Sequence, residues 1–151
     1  MKQSRKGFTL VELLIVIVVI GVLSTMMMLS STEAVSSAKA STIISNLRNW
    51  KTAALSWYVD NLNTAETAEL GKDSATSKDI GKYLSAASAG GYNVTGKGTG
   101  GWYVLYEGSD LNNGNVKAKL AKRAREVGIL GTAVSNDYFE ATDSKVYMFV
   151  R

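Results

Sequence analysis

Lys2-Gln3-Ser4-Arg5-Lys6-Gly7-Phe8-Thr9-Leu10-Val11-Glu12-Leu13-Leu14-Ile15-Val16-Ile17-Val18-Val19-Ile20-Gly21-Val22-Leu23 decides how the rest of the chain is organised. A short basic leader ends at Gly7, and an apolar run follows whose one charge, Glu12, stands near its start. A carboxylate inside a bilayer core is disfavoured by roughly 3 kcal/mol or more unless it finds a partner. Glu12 therefore calls for one. From Phe8 to about Leu29 the run spans a bilayer, which takes about 20 residues at about 1.5 Å of rise each. Its Val and Ile content suits a strand, but its length and lack of alternation predict a membrane helix. An ordinary secretory signal would carry a small-residue cleavage site after the run and no carboxylate within it. Ser24-Thr25-Met26 is no such site.

The basic leader, Gly7-Phe8-Thr9-Leu10, Glu12 and Gly21 together closely resemble the N-terminus of type IV pilins and of the pseudopilins of type II secretion systems. The resemblance implies a cut between Gly7 and Phe8 by a prepilin peptidase, N-methylation of Phe8, and a filament in which Glu12 pairs with the Phe8 amine of a neighbour. Such a pair is strongly attractive in a low-dielectric surround only when both partners are present, so it would set register. Gly21 would let helices approach closely, as small residues do in membrane packing. Members of the family often carry a proline at the far end of the run; this chain reads Met28-Leu29-Ser30 there, which gives no ground for a kink. The implied partners are further copies of the chain or related pilins, the peptidase, the cytoplasmic membrane and, indirectly, an assembly platform and its ATPase. The implied location is a single-pass precursor with its leader in the cytoplasm, then a surface pilus or a periplasmic pseudopilus.

Beyond the run, no Pro or Gly occurs between Val22 and Leu70, and Ala40, Ile43, Leu47, Trp50, Ala54 and Trp57 recur by threes and fours. That spacing lines one face of a helix. The reading is one helix over residues 8–62, on the order of 80 Å long: 8–29 for membrane or filament core, 30–62 amphipathic, with leader 1–7 before it and a small globular domain 63–151 after it. Trp50, Trp57 and Tyr58 are expected to pack as core. Residues 63–78 read as a loop. Residues 78–87 read as a short helix, with Ser77 as cap and Ile80, Tyr83, Leu84 and Ala87 inward.

Tyr92-Asn93-Val94-Thr95 and Trp102-Tyr103-Val104-Leu105-Tyr106, joined by a glycine-rich stretch, predict a hairpin. Gly96, Gly98 and Gly101 match G-x-G-x-x-G literally, but an aromatic strand follows where a dinucleotide site needs a helix. Residues 115–127 predict a helix capped by Asn115, with Val116, Leu120, Ala124 and Val127 on one face and Gly128 as its stop. The tail reads as a turn and a last strand with Val146, Met148 and Val150 on one side. The fold class is therefore α+β, with a long N-terminal helix packed on a small antiparallel sheet in the pilin manner.

The chain contains no cysteine and no histidine, so disulfides, thiolate metal sites and His-based catalysis are excluded. No enzyme is expected. Its formal charge of +4 includes Lys2, Arg5 and Lys6 of the leader. Taking these three from seventeen leaves fourteen basic against thirteen acidic residues, nearly neutral. Two charge clusters remain as candidate sites. Lys117, Lys119, Lys122, Arg123 and Arg125 read first as a solvated face, and second as a contact for DNA or lipid headgroups. No aromatic residue interleaves them to stack a base.

Asp137, Glu140 and Asp143, and separately Asp110, Asn112, Asn113 and Asn115, are oxygen-rich, as calcium requires. Major pseudopilins carry a calcium site in their C-terminal loops, which the acidic tail loosely resembles. Turns use the same residues, and Asp110-Leu111-Asn112-Asn113-Gly114 puts its glycine one place too early for an EF-hand. Asn93-Val94-Thr95 is a formal glycosylation sequon. The function expected is a pilus-like filament subunit for adhesion, motility or DNA uptake. A secretion pseudopilin is the alternative, and a DNA-binding minor pilin a further one.

Overall fold

The computed structural model describes residues 7–65, 69–70, 80–84, 90–97, 101–133 and 137–151. Helix α1 runs Leu10–Asp60 as one element of 51 residues. It starts two residues later than the apolar run because Thr9 caps it, and it ends where Asn61 turns back: the Asn61 side chain and backbone N–H both donate to the Trp57 carbonyl, at 2.9 and 3.1 Å. A short helix α2, Leu62–Ala65, follows, whose last three residues the sequence predicts as loop.

The chain divides into two compact units, Met1–Val35 and Ser36–Arg151. In the first, the described large apolar side chains from Phe8 to Met28 all face outward. In the second, α1 contributes a buried stripe of Ala40, Ile43, Leu47, Trp50, Ala54 and Trp57, all foreseen, and also Ser36, Ile44 and Ala53. The stripe is wider than an i, i+3/i+4 line because a sheet covers it over a broad face.

That sheet is antiparallel and has five strands in the order β1-β2-β3-β5-β4. They are β1 Glu69–Leu70, β2 Tyr92–Lys97, β3 Gly101–Tyr106, β4 Ile129–Leu130 and β5 Val146–Phe149. The hairpin is longer than expected. Gly96 pairs with Trp102 and Lys97 with Gly101, so two of the glycines in the literal G-x-G-x-x-G are ladder residues. Gly98, the third, lies outside the described residues. Gly96 (φ 121°) and Gly101 (φ 96°) hold backbone conformations open mainly to glycine, which accounts for the motif without a ligand. The last strand alternates as read, with Val146, Met148 and Val150 buried. Its ladder continues past β5, through the Val150 N–H to the Trp102 carbonyl at 2.7 Å. The two-residue strands β1 and β4 were not foreseen.

Aromatic residues join helix to sheet. Trp57 and Tyr58 meet Trp102 at 5.6 and 5.4 Å between centroids, Trp50 stacks on Tyr92 at 6.3 Å, and Tyr92 lies 4.4 Å from Tyr106. Trp102 and Phe139 are among the largest fully buried side chains. Between 80 and 84, Ile80 is buried and Leu84 packs on the core, as expected. Tyr83 is not inward: it is 37% exposed, because its hydroxyl donates to Asp60 Oδ2 at 2.8 Å near the end of α1. Ser77 and Ala87 lie outside the described residues.

A 3-10 turn, Ser109–Asn112, leads into α3, Gly114–Val127. The cap of α3 is Asn113 and not Asn115. The Asn113 side-chain oxygen accepts from the N–H groups of Asn115 and Val116, at 2.9 and 3.4 Å. The preceding turn leaves Asn113 extended (φ −91°, ψ 113°), the conformation a cap needs, whereas Asn115 is already inside the helix. Gly128 stops α3 in the left-handed conformation, as read.

Candidate functional site

The start of α1 gathers the residues singled out in the sequence. Gly7, Phe8 and Thr9 precede the helix, and Phe8 is 88% exposed, so the Gly7–Phe8 bond is accessible and unwound. A side-chain carbon added at Gly7 would meet no atom within 4 Å, and Gly7 does not take a positive φ. Among the described residues nothing requires glycine there.

Thr9 and Glu12 form a reciprocal cap. Glu12 Oε2 accepts from the Thr9 backbone N–H at 2.8 Å and from the Thr9 hydroxyl at 2.7 Å, while the Glu12 N–H donates to Thr9 Oγ1 at 3.3 Å. This is the T-x-x-E capping box, with the carboxylate also placed at the positive end of the helix dipole. Thr9 is the residue that the sequence reading missed, although Thr9-Leu10-Val11-Glu12 spells the box. Both recorded bonds to the carboxylate use Oε2, so Oε1 is open among the described residues. Gly21 has no atom within 4 Å of a built side-chain carbon, so its smallness serves no contact recorded here.

The two charge clusters meet only in part. Lys122 and Arg125 of α3 face Asp137, Glu140 and Asp143 of the tail across an open cleft of about 810 Å³, whose walls include Tyr138 and Phe139. The Arg125 guanidinium lies 5.6 Å from the Tyr138 ring centre, a cation–π distance. Arg123 points away from the cleft and donates to Ser41 Oγ of α1 at 3.0 Å. Lys117 and Lys119 do not line the cleft and have no ion-pair partner among the described residues.

Asp143 and Asp110 are engaged within the fold. Asp143 Oδ2 accepts from the Glu140 N–H at 2.7 Å, closing a turn, and its carboxylate occupies the space beside Gly131. Asp110 pairs with Lys39 at 2.7 Å, and Asn113 caps α3. Among the described residues no three Asp or Glu side chains gather closely enough to hold a metal ion. The acids of the cleft also offset the positive charge of α3 on that flank, which weakens a polyanion site there.

An apolar, outward-facing helix that continues as the spine of a small antiparallel sheet defines a pilin-like α+β protein. Residues 2–28 match the family model described as the prokaryotic N-terminal methylation motif, the signature of type IV prepilins and pseudopilins. The motif is the one that prepilin peptidase processes. No solved structure matches the chain.

Proposed function

We propose that the chain is a structural subunit of a type IV pilus-like filament, cut between Gly7 and Phe8, methylated on Phe8 and assembled through residues 8–29. The observation that carries this is the outward apolar surface from Phe8 to Met28, interrupted by one carboxylate. By length and composition α1 is apolar enough to cross a membrane, with a mean hydropathy of 2.7 over its most apolar window and none of that window buried. Lipid covers such a surface before assembly, and other copies of the same helix cover it afterwards.

Glu12 serves both states. Its Oε2 satisfies the chain's own first turn through Thr9, and its Oε1 is left to accept from the Phe8 amine that cleavage creates on a neighbour. Gly21 supports close helix–helix approach for the same reason that it makes no contact within one chain. The role is structural and involves no catalysis by the subunit.

Intact mass and N-terminal sequence of the protein sheared from the cell surface test the reading. N-methylated Phe8 in the surface fibres is the expected result. Processed chain confined to membrane and periplasmic fractions would replace the pilus with a secretion pseudopilus. Chain that still carries residues 1–7 would overturn the reading altogether.

A further inference from the structure

We infer that Met26-Met27-Met28 is an oxidation site: hydrogen peroxide converts these thioethers to sulfoxides, and oxidised copies are kept out of the filament. This rests on the reading of residues 8–29 as membrane anchor and filament core. The chain has five methionines, and three of them stand together here. Their side chains are 66%, 75% and 75% exposed, whereas Met148 is 4% exposed in the core under the sheet. Successive helical residues turn by about 100°, so the three thioethers point in three directions around α1. A helix that approaches this turn from most sides packs on at least one of them.

From Leu10 to Leu23 the run holds only Leu, Val, Ile, Gly21 and Glu12, none of which peroxide oxidises. Met28 stands one residue, about 1.5 Å of rise, before Leu29, which closes the run. The triplet therefore lies at the margin of the anchor, where a small uncharged oxidant meets it. The reaction needs no other reagent. A sulfur lone pair attacks one peroxide oxygen, the S–O bond forms as the O–O bond breaks, and sulfur gives up two electrons. The second oxygen leaves as hydroxide and takes the remaining proton to become water. The product is a polar sulfoxide where an apolar side chain stood.

At the membrane margin water donates to that new oxygen. Between packed helices donors are scarce. The flanking hydroxyls of Ser24, Thr25 and Ser31 already donate to the carbonyls of Ile20, Val22 and Met27, at 2.7, 2.8 and 3.1 Å, and a hydroxyl has one proton to give. No Lys or Arg stands between Lys6 and Lys39, and residues 10–23 of another copy bring no side-chain donor. A polar acceptor without a donor is disfavoured in an apolar surround. Oxidation is thus tolerated in the membrane pool and opposed in the filament, and only such a difference between two states can sort copies.

To test this, cells producing the full chain are sheared of fibres, treated with hydrogen peroxide, quenched with catalase and left to regrow fibres with protein synthesis stopped. Peptide mass spectrometry of the membrane pool and of the regrown, denatured fibres then counts the oxygens added at Met26–Met28 and at Met148. In the pool, sulfoxide should gather at the triplet and spare Met148, and its share in the fibres should be severalfold lower than in the pool. Equal shares in pool and fibres overturn the inference, and so does Met148 oxidised as readily as the triplet. The Met26→Leu/Met27→Leu/Met28→Leu variant and the wild type are each compared with their own untreated samples. Peroxide should lower the fibre yield severalfold less in the variant; an equal fall places the effect in the assembly machinery and overturns the site. Fibres that form but do not sort oxidised copies refute this inference alone, and untreated cells that form no fibres from the chain refute the filament reading as well.

Discussion

On the proposed function, Glu12 and Gly7 are residues demanded by something outside their own fold. Glu12→Ala removes the carboxylate from the capping box, which costs on the order of 1 kcal/mol at an exposed helix start. A helix as long as α1 survives that loss. On the proposed pairing the larger effect is on assembly, because a neighbour's Phe8 amine would lose its acceptor in an apolar surround. Glu12→Ala should therefore be cleaved normally, shown by mature mass in the membrane fraction, yet yield no sheared fibres. Normal fibres would sink the pairing. Gly7→Ala runs the other way. Its added carbon meets nothing within 4 Å, so folding should be untouched, while the proposed cleavage of the Gly7–Phe8 bond should fail. An unchanged denaturation curve with precursor mass is the expected pair of results, and mature mass would refute the cut site.

At the scale of elements, the β2–β3 hairpin is the place where glycine is demanded from within. A side-chain carbon on Gly96 would collide with the Gly101 carbonyl and come within 3.2 Å of Trp102 Cα, and its φ of 121° is strained for any other residue. Backbone cannot step aside as a flexible side chain does. Gly96→Ala should cost about 2 kcal/mol, read from chemical denaturation followed by tryptophan fluorescence. Gly81→Ala, with open space and no positive φ, should cost far less. Equal losses would show that the ladder at Gly96 is not as described.

These elements also mark what a sequence can disclose. The helix was legible because apolar spacing persists from Ala40 to Trp57, and the hairpin because aromatic and branched residues flank glycines. Asn113 and Asn115 compete for one cap across Gly114, and the 3-10 turn before them decides the winner. Strands β1 and β4 are two residues each and exist by borrowing partners, Gly96 and Lys97 for one and Tyr147 and Met148 for the other. No local pattern announces them. The cleft joins residues 121–125 to residues 131–132 and 137–143 through tertiary packing, so part of one charge cluster of the sequence, Lys122 and Arg125, meets the other across the fold.

For the molecule as a whole, the bond between spine and sheet runs through tyrosines, and alkali should loosen it. Burial is the main cause that lifts the Tyr92 hydroxyl from its ordinary 10.0 to about 12; Tyr106 and Asp110 add repulsion, while the 3.2 Å bond from Asn46 opposes the rise. Tyr106 is raised as well, by burial first and by the nearby Asp110 second. Each is a neutral acid when folded and would have to lose its proton among aromatic neighbours. The unfolded chain releases these protons near pH 10, whereas the folded chain holds that of Tyr92 until about pH 12. Between those values the native state binds more protons, so stability, whole below pH 10, falls as pH rises toward 12. Exposed Lys145, raised by its hydrogen bond and charge pairing with Glu107, adds in the same direction. Tyrosinate absorbance should therefore show at least one late-titrating residue, released together with the loss of near-ultraviolet dichroism. In Tyr92→Phe that late step should shrink and the alkaline loss of stability should become shallower. A wild-type chain whose tyrosines all titrate near pH 10 while the fold persists would show that Tyr92 is open to water and does not seal the spine against the sheet.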